Sequence, residues 1–235
     1  MQSEHISKQY DNDLEMVRAK VLEMGALVEQ QFVDALESLL KSNATQAKSV
    51  IKKDSLVNAL EMQIDEDCSH IIARRQPAAG DLRFVLMMIK TITDLERIGD
   101  EAAKIARYSL KSMGEDKIST PRFVEIKAMA MTARDMLHMA LDAFARSDAT
   151  KVVEIALMDE EVDEQYQAAI RQLITFMLED PRTISTSLEV LFISKAVERI
   201  GDHAKNIAEY VVYMVQGKDV RHISIEDMQS QVLKD

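Results

Sequence analysis

The chain has 235 residues and a formal net charge of −11, with 47% hydrophobic and 29% charged residues. This composition is typical of a globular protein, and the acidic balance argues against a nucleic-acid binder, which would carry a basic footprint. The first residues, MQSEHISKQYDNDLEMV, lack the apolar core of a signal peptide, and no stretch approaches the ~18 apolar residues of a membrane span. The single Cys68 excludes an intrachain disulfide. We therefore expect a cytoplasmic protein.

Three long helices are predicted for the first half of the chain. The first covers residues 14–40, where apolar side chains recur at helical spacing: Val17, Val21, Met24, Val28, Phe32, Ala35 and Leu39. Asn43 is a good N-cap for the second helix, which runs to about residue 74. The segment 76–80, QPAAG, interrupts the helix, and the third covers about 82–113.

Three more helices are predicted for the second half, after a boundary at 114–120. Thr120 is an N-cap followed by Pro121 at the first helical position, and the helices cover about 121–146, 149–178 and 183–216. Asp148 caps the second of these, and Gly217 ends the last. No stretch alternates as a strand does, and residues 218–235 are expected to be a loosely held C-terminal tail. The predicted fold class is all-α.

The two halves are copies of one unit. The pentamer ERIGD occurs at 96–100 and again 102 residues later at 198–202, and KSNAT at 41–45 matches RSDAT at 146–150 at an offset of 105. Asp54 and Val57 recur as Asp159 and Val162 in that same register. The sequence therefore predicts two tandem three-helix bundles related by internal duplication, 1–113 and 120–217, whose backbones superpose.

Each ERIGD pentamer places two acids on one face of a helix. Glu96 and Asp100 stand one turn apart, as do Glu198 and Asp202, away from the apolar seam that the isoleucines join. Like charges at this spacing repel by roughly 0.2–0.5 kcal/mol unless a cation lies between them. Carboxylates are ligands that hard divalent metals use, so all four acids are candidate metal ligands. The glycine between them indicates a close approach by another group.

Acids of the first helix of each unit offer further candidate ligands. Asp34 and Glu37 lie on the first helix, and Asp142 lies on the fourth. An ungapped alignment pairs Glu37 with Asp142, whereas matching DAL to DAF pairs Asp34 with it, so both registers stay open. His138 stands four residues before Asp142 and is a further candidate ligand, but a lone histidine on a methionine-rich helix is more often a packed core residue.

Enzyme motifs are sparse in this sequence. It has no glycine-rich phosphate loop, Walker lysine or dinucleotide fingerprint, and no Glu-x-x-His pair of the kind that di-iron bundles use. Two classes of function remain: a regulatory binding module whose acidic faces hold metal, and a metal-dependent hydrolase or oxidase built on a helical bundle. The first is favoured.

With the repeat and its acids in view, the chain resembles the PhoU family. The resemblance covers nearly the whole chain and rests on IIARRQPAAGDLR (71–83), DLERIGDEAAKIARY (94–108), LDAFARSD (141–148) and AVERIGDHAKNIAEY (196–210). The second copy has Asp-Pro-Arg-Thr at 180–183, where the first has the Gln-Pro and Asp-Leu-Arg pattern.

The resemblance implies a negative regulator of the phosphate-starvation response. Members of the family link the phosphate ABC transporter to a sensor histidine kinase and reach the membrane only through such protein partners. They carry divalent or ferric metal ions on acidic motifs, which fall here on Glu96, Asp100, Glu198 and Asp202, with Asp34 and Asp142 as further ligands. A homodimer is also expected.

Overall fold

The computed structural model describes residues 8–113 and 124–233, and within those ranges it contains helices and no strand. The helices are α1 (Lys8–Leu40), α2 (Ala44–Arg75), α3 (Ala79–Ser112), α4 (Val124–Arg146), α5 (Val152–Glu179), α6 (Ile184–Gln216) and α7 (Ile225–Val232). Short 3-10 turns at Ala149–Lys151 and Pro181–Thr183 precede α5 and α6. The prediction of an all-α protein is confirmed.

Local sequence signals set most of the helix ends. The side chain of Asn43 accepts a hydrogen bond from the backbone of Gln46, and that of Asp148 accepts one from the backbone of Thr150, as expected of N-caps. α2 ends at Gln76, whose backbone adopts the left-handed α conformation with φ 50°. α1 begins six residues before the predicted start at residue 14. The predicted boundary at 114–120 and the predicted start at Thr120 and Pro121 lie outside the described residues.

Gly217 ends α6 in the left-handed region, with φ 73°. A side chain at this position would clash with the guanidinium of Arg83, which lies over the ring of Tyr213. The left-handed backbone is what favours glycine here, because the Arg83 guanidinium is the end of a flexible side chain and can shift.

The apolar seams form the core of both bundles. Every seam residue predicted on α1 is buried, and so are those of α3: Leu95, Ile98, Ala102 and Ile105. On α6 the seam from Val190 to Val211 is buried, and Met214 at its end is partly buried. Spacing of three and four residues along each helix is what brings these side chains to one side.

Among the described helices, α3 and α6 make the most extensive contact with each other, and they join the two bundles. They run antiparallel: Tyr108 near the end of α3 stacks on Phe192 near the start of α6, with ring centroids 5.4 Å apart. Buried Glu101 of α3 pairs with Arg199 of α6, and Asp94 Oδ1 lies 2.6 Å from His203 Nδ1. Each repeat thus supplies one of the two helices at the centre of the molecule.

The C-terminal segment was expected to be loosely held, and this prediction is wrong for 218–233. α7 forms there, with Ser224 as its N-cap, and Val220, Met228 and Val232 are buried. Lys218 and Gln216 donate side-chain hydrogen bonds to backbone carbonyls of this segment. Apolar side chains spaced three or four residues apart pack the short helix onto the second bundle. Among the helices that are described, none is long and apolar enough to cross a membrane.

Candidate cation-binding faces of the two repeats

The glycines of the two ERIGD pentamers show how the repeats correspond. A Cβ on Gly99 would stand 3.2 Å from Gln31 Oε1 and 3.3 Å from Val57 Cγ1. A Cβ on Gly201 would stand 3.5 Å from the terminal methyl of Met136, and its other near neighbour is Val162. The expected close approach is therefore present at Gly99 and looser at Gly201.

These neighbours also settle which acid of α1 corresponds to Asp142. Gln31 and Met136 occupy equivalent places and are 105 residues apart, and the same offset pairs Glu37 with Asp142. Lys41 Nζ donates to Glu37 at 3.0 Å, and Arg146 Nε donates to Asp142 at 2.7 Å, each from one helical turn further on. The ungapped register is the correct one.

We define the first acidic face as Asp54, Glu61, Glu96 and Asp100, which α2 and α3 contribute. The Glu96 side chain is 17% exposed, and its Oε2 lies 3.5 Å from Arg97 Nε. Burial, together with the charges of Asp100 and Asp54, raises the pKa of Glu96 although Arg97 opposes the shift. Burial and then the charge of Glu96 likewise raise the pKa of Glu61. Negative charge is thus under-compensated on this face.

We define the second acidic face as Asp159, Asp163, Glu198 and Asp202, which α5 and α6 contribute. Asp202 is exposed as a residue. Partial loss of water contact at its carboxyl, and then the charges of Glu198 and Asp159, raise its pKa to about 6. Asp163 acts in the same direction, and burial followed by the charge of Asp159 raises the pKa of Asp163 itself.

Two lysines contact the second acidic face directly. Lys195 Nζ donates to both carboxylate oxygens of Glu198 at 2.6 Å, and Lys205 Nζ donates to Asp159 at 2.7 Å. Burial, the largest single effect, would lower the pKa of each lysine, but the hydrogen bond to its carboxylate and the charges of nearby acids together outweigh it, so both pKa values are raised. These ammonium groups therefore stay charged at neutral pH.

The remaining two predicted ligands have partners of their own. Asp34 Oδ2 accepts from Lys53 Nζ at 3.2 Å, and its Oδ1 accepts from Gln30 and Gln46 on α1 and α2. Asp142 is bound by Arg146. The acids whose charges act on the ERIGD pairs come instead from the second helix of each bundle, as Asp54 and Asp159, whose equivalence the repeat register already gives.

His138 is not the packed core residue that the sequence favours. Its side chain is 70% exposed, and its Nδ1 lies 2.9 Å from Glu29 Oε1 on α1. His138 lies outside the apolar stripe of α4, to which the preceding residues Met136 and Leu137, both buried, belong. His138 therefore connects α4 to α1 at the surface.

The acidic faces offer suitable ligand atoms for a hard cation, but the spacing of their side chains is unsuitable. Carboxylate oxygens are the right ligands for a divalent ion. Within the described residues, however, no three Asp, Glu, His or Cys side chains lie close enough together to hold a metal ion. The metal-ligand roles of the six acids thus stay predictions.

A polar cavity of about 520 Å³ lies beside the second acidic face, where α7 and the segment before it cover α5 and α6. Glu209, Lys205 and Arg221 are among the residues that line it. Glu209 is only 7% exposed. Burial raises its pKa to about 7 even though the charges of Lys205 and Arg221 favour the ionised form.

Comparison with known proteins identifies the family. The family model described as the PhoU domain matches the chain twice, over residues 21–109 and 126–211. The chain belongs to the PhoU family. The two matches fall on the two bundles, so the tandem duplication predicted from the repeats is confirmed.

Relatives and solved structures agree over most of the chain. A Pseudomonas putida protein named "Phosphate-specific transport system accessory protein PhoU homolog" is 46% identical over 97% of this chain and 89% of its own length. The Escherichia coli K12 protein named "Phosphate-specific transport system accessory protein PhoU" is 43% identical over 96% of this chain and 93% of its own.

Two crystal structures of PhoU proteins have the same fold. PhoU from Pseudomonas aeruginosa matches with a TM-score of 0.86 and 44% identity, over 89% of this chain and all of that one. The phosphate transport system regulatory protein PhoU from Streptococcus pneumoniae matches with a TM-score of 0.82 and 30% identity, over 90% of this chain and 99% of that one.

Proposed function

We propose that this chain is a non-enzymatic accessory protein that represses the phosphate-starvation response. The observation that carries the proposal is the match of both repeats to the PhoU domain, together with relatives named as accessory proteins of the phosphate-specific transport system. We assign it to the cytoplasm, where it would act between the phosphate ABC transporter and the cytoplasmic portion of a sensor histidine kinase.

Exposed apolar side chains on the central helices support a role in protein contact. Ile184, Leu188 and Phe192 follow one another along α6 and remain between 39% and 49% exposed. Leu82 and Leu86 stand at the equivalent places on α3, 102 residues earlier, and are also exposed. Large apolar side chains aligned on one face are typical of interaction surfaces. The proposed partners are the kinase and the transporter, with a second copy of the chain in a homodimer.

A deletion strain tests the regulatory role. Without the protein, a reporter of the phosphate-starvation response should stay on in phosphate-rich medium, and the wild-type gene should restore repression. A variant with Ile184→Asp and Leu188→Asp should fold, as far-UV circular dichroism would show, and fail to restore it. The control Met62→Asp, on an exposed position of α2, should restore it fully. Normal repression in the clean deletion strain would refute the proposal.

We further propose that the acidic faces bind divalent or ferric metal ions, a role that the under-compensated charge of Glu96 supports. Replacing Asp100 and Asp202 with Ala should abolish most metal binding. In the absence of metal the same variant should hold or gain stability, because a like-charge repulsion of a few tenths of a kcal/mol is removed. With metal, the wild-type unfolding midpoint should rise with the logarithm of metal concentration. Equal midpoints across a metal titration would leave ERIGD as a packing motif.

A metal-dependent hydrolase or oxidase is the competing function. A metal count combined with a turnover assay separates the two. Bound metal without hydrolysis of a generic phosphoester or oxidation of a generic reductant supports the regulator. Turnover of either substrate that depends on the metal supports the enzyme.

A further inference from the structure

The cavity that α7 covers has room for a small organic molecule. Its volume of about 520 Å³ falls within the range of ligand pockets in proteins, about 300–1,000 Å³. Polar side chains of α6 form much of its lining, and Ile223, Ile225 and Met228 add apolar surface from α7 and the segment before it. A ligand in this cavity would therefore meet both charged groups and aliphatic side chains.

Each lysine and arginine in the lining of this cavity already has a carboxylate partner. The pairs are Lys205 with Asp159, Arg221 with Asp219 and Arg199 with Glu101. Lys205 Nζ donates to its partner at 2.7 Å, and Arg221 donates to both carboxylate oxygens of its own. Because a carboxylate matches each of these positive charges, the lining has no surplus positive charge with which to hold an anion.

Glu209 is the buried acid of the cavity, and it lacks such a partner. The residue is only 7% exposed, yet its carboxyl makes no hydrogen bond or ion pair with any other described residue. The charges of Lys205 and Arg221 act on it from further away, while both bases contact other carboxylates. Buried polar groups in proteins are normally hydrogen-bonded, so a carboxyl group left unpaired beside a cavity indicates a donor supplied by a ligand.

We propose that this cavity binds a small aliphatic amine, whose ammonium group pairs with Glu209 and whose carbon chain lies against the apolar side chains of Ile223, Ile225 and Met228. An ammonium has three N–H donors and no acceptor, so it complements a carboxylate, and a hydrogen bond between two charged groups is a strong one. The inference does not depend on the proposed repression of the phosphate-starvation response.

A metal ion does not fit this cavity equally well. No three Asp, Glu, His or Cys side chains within the described ranges lie close enough together to hold one. An amine needs only one carboxylate for its ammonium, and it fills a space of this size with carbon atoms. Apolar side chains such as Met228 give favourable contacts to an alkyl chain, whereas they offer nothing to a hydrated ion.

Isothermal titration calorimetry of the full chain with cadaverine, a five-carbon diamine, tests the proposal. Cadaverine should bind at one site, and pentanediol, which has the same chain without charge, should bind at least about tenfold more weakly. Glu209→Gln should weaken cadaverine binding by about tenfold or more, because it removes the charge that the ammonium pairs with.

Glu226→Gln, on an exposed position of α7, is the matched control. It changes the net charge of the protein by the same amount and should alter cadaverine binding by less than about twofold. Circular dichroism checks that both variants are folded. The absence of cadaverine binding to the wild type would overturn the proposal, and so would an equal loss in the two variants.

The pH dependence of binding gives a second readout. Glu209 must be ionised to hold an ammonium, whereas an alkylammonium stays protonated to about pH 10. Cadaverine should therefore bind about tenfold more tightly at about pH 8 than at about pH 6. Besides the paired Lys205, Arg221 and Arg199, the charged or titratable groups of the lining are Asp202, His203 and His222. Glu209→Gln retains all of these, so an equal pH dependence in the variant and the wild type would overturn the assignment to Glu209.

The ammonium could also come from a lysine side chain of a partner protein. A free amine can occupy the cavity while α7 stays in place, so cadaverine should slow the amide hydrogen exchange of 225–232. It should also bind more tightly than Nα-acetyl-lysine methylamide, which carries two peptide groups that the cavity would have to enclose. Tighter binding of the lysine derivative, with faster exchange of 225–232, would assign the site to a protein side chain and overturn the proposal of a free amine.

Discussion

The buried carboxyl of Glu209 makes the stability of the protein depend on pH in a direction that can be calculated. Its pKa rises from 4.5 to about 7 in the folded state, because it is removed from water beside the cavity that α7 covers. An acid with a raised pKa binds its proton more tightly when folded, so its contribution to the free energy of unfolding falls as pH rises from about 4.5 to about 7.

The size of the effect follows from the shift. At about 1.4 kcal/mol for each pKa unit, the full change is about 3 kcal/mol. Between about pH 5.5 and about pH 8.5, where most of the titration in the folded state occurs, about 2 kcal/mol of this is lost. Glu209→Gln keeps a neutral side chain of the same shape and should remove the loss. Relative to the wild type, the variant should therefore gain about 2 kcal/mol over this range.

Urea unfolding followed by circular dichroism at several pH values measures the difference. Glu164→Gln, on an exposed position of α5, is the matched control and should give a curve parallel to the wild type. If the difference between Glu209→Gln and the wild type is also independent of pH, Glu209 is ionised at little cost in the folded protein, and the argument from its burial is wrong.

Three further changes have expected outcomes. Arg199→Ala should lower the free energy of unfolding by about 1–2 kcal/mol, because it leaves a buried carboxylate of α3 with a weaker partner; Arg97→Ala, at the equivalent exposed position, should cost less than about 0.5 kcal/mol. Gly201→Ala should raise the free energy of unfolding by up to about 1 kcal/mol, because alanine has the higher helix propensity. Gly99→Ala should raise it less, because the new Cβ would meet a buried amide oxygen at 3.2 Å. Met228→Ala should release α7, so that amide hydrogens of 225–232 exchange faster with solvent.

Chemical denaturation measures the first two, and hydrogen exchange measures the third. Equal costs for Arg199→Ala and Arg97→Ala would mean that the pairing between the bundles contributes nothing. A loss of stability in Gly201→Ala would show that its surroundings are tighter than the contacts of Met136 indicate. Unchanged exchange in Met228→Ala would place the attachment of α7 elsewhere.

The helices and their cores could be predicted from the sequence because each depends on neighbours along one helix. The seam through Leu95, Ile98, Ala102 and Ile105 needs only a period of 3.6 residues to be recognised, and the structure buries all four. Caps such as Asn43 are equally local. α7 was missed because eight residues give too short a pattern to stand out from a polar tail, although Ser224 and the spacing of Met228 and Val232 carry the signal.

The partners of the acids could not be predicted in the same way, because they depend on which helices pack together. The sequence suggested Asp34 on α1, whereas Asp54 of α2 is the acid whose charge acts on Glu96. The choice between Asp34 and Glu37 as the equivalent of Asp142 needed the surroundings of the two glycines. Lys195 stands three residues before Glu198 on α6, so helical spacing alone could have suggested that pair, whereas the contact of Lys205 with Asp159 on α5 depends on how the helices pack.

The two duplicated halves contribute different residues to the contact between α3 and α6, so they are no longer equivalent there. Arg199 reaches Glu101, but the residue of the second half that corresponds to Glu101 is His203, which lies against Asp94 instead. Arg97 is thus left without the mirror-image bridge. If two copies of the second half were packed in the same manner, Arg199 would face a histidine where it now meets a carboxylate. The centre of the molecule therefore favours one half of each kind, and a gene encoding a single half could not simply replace the pair.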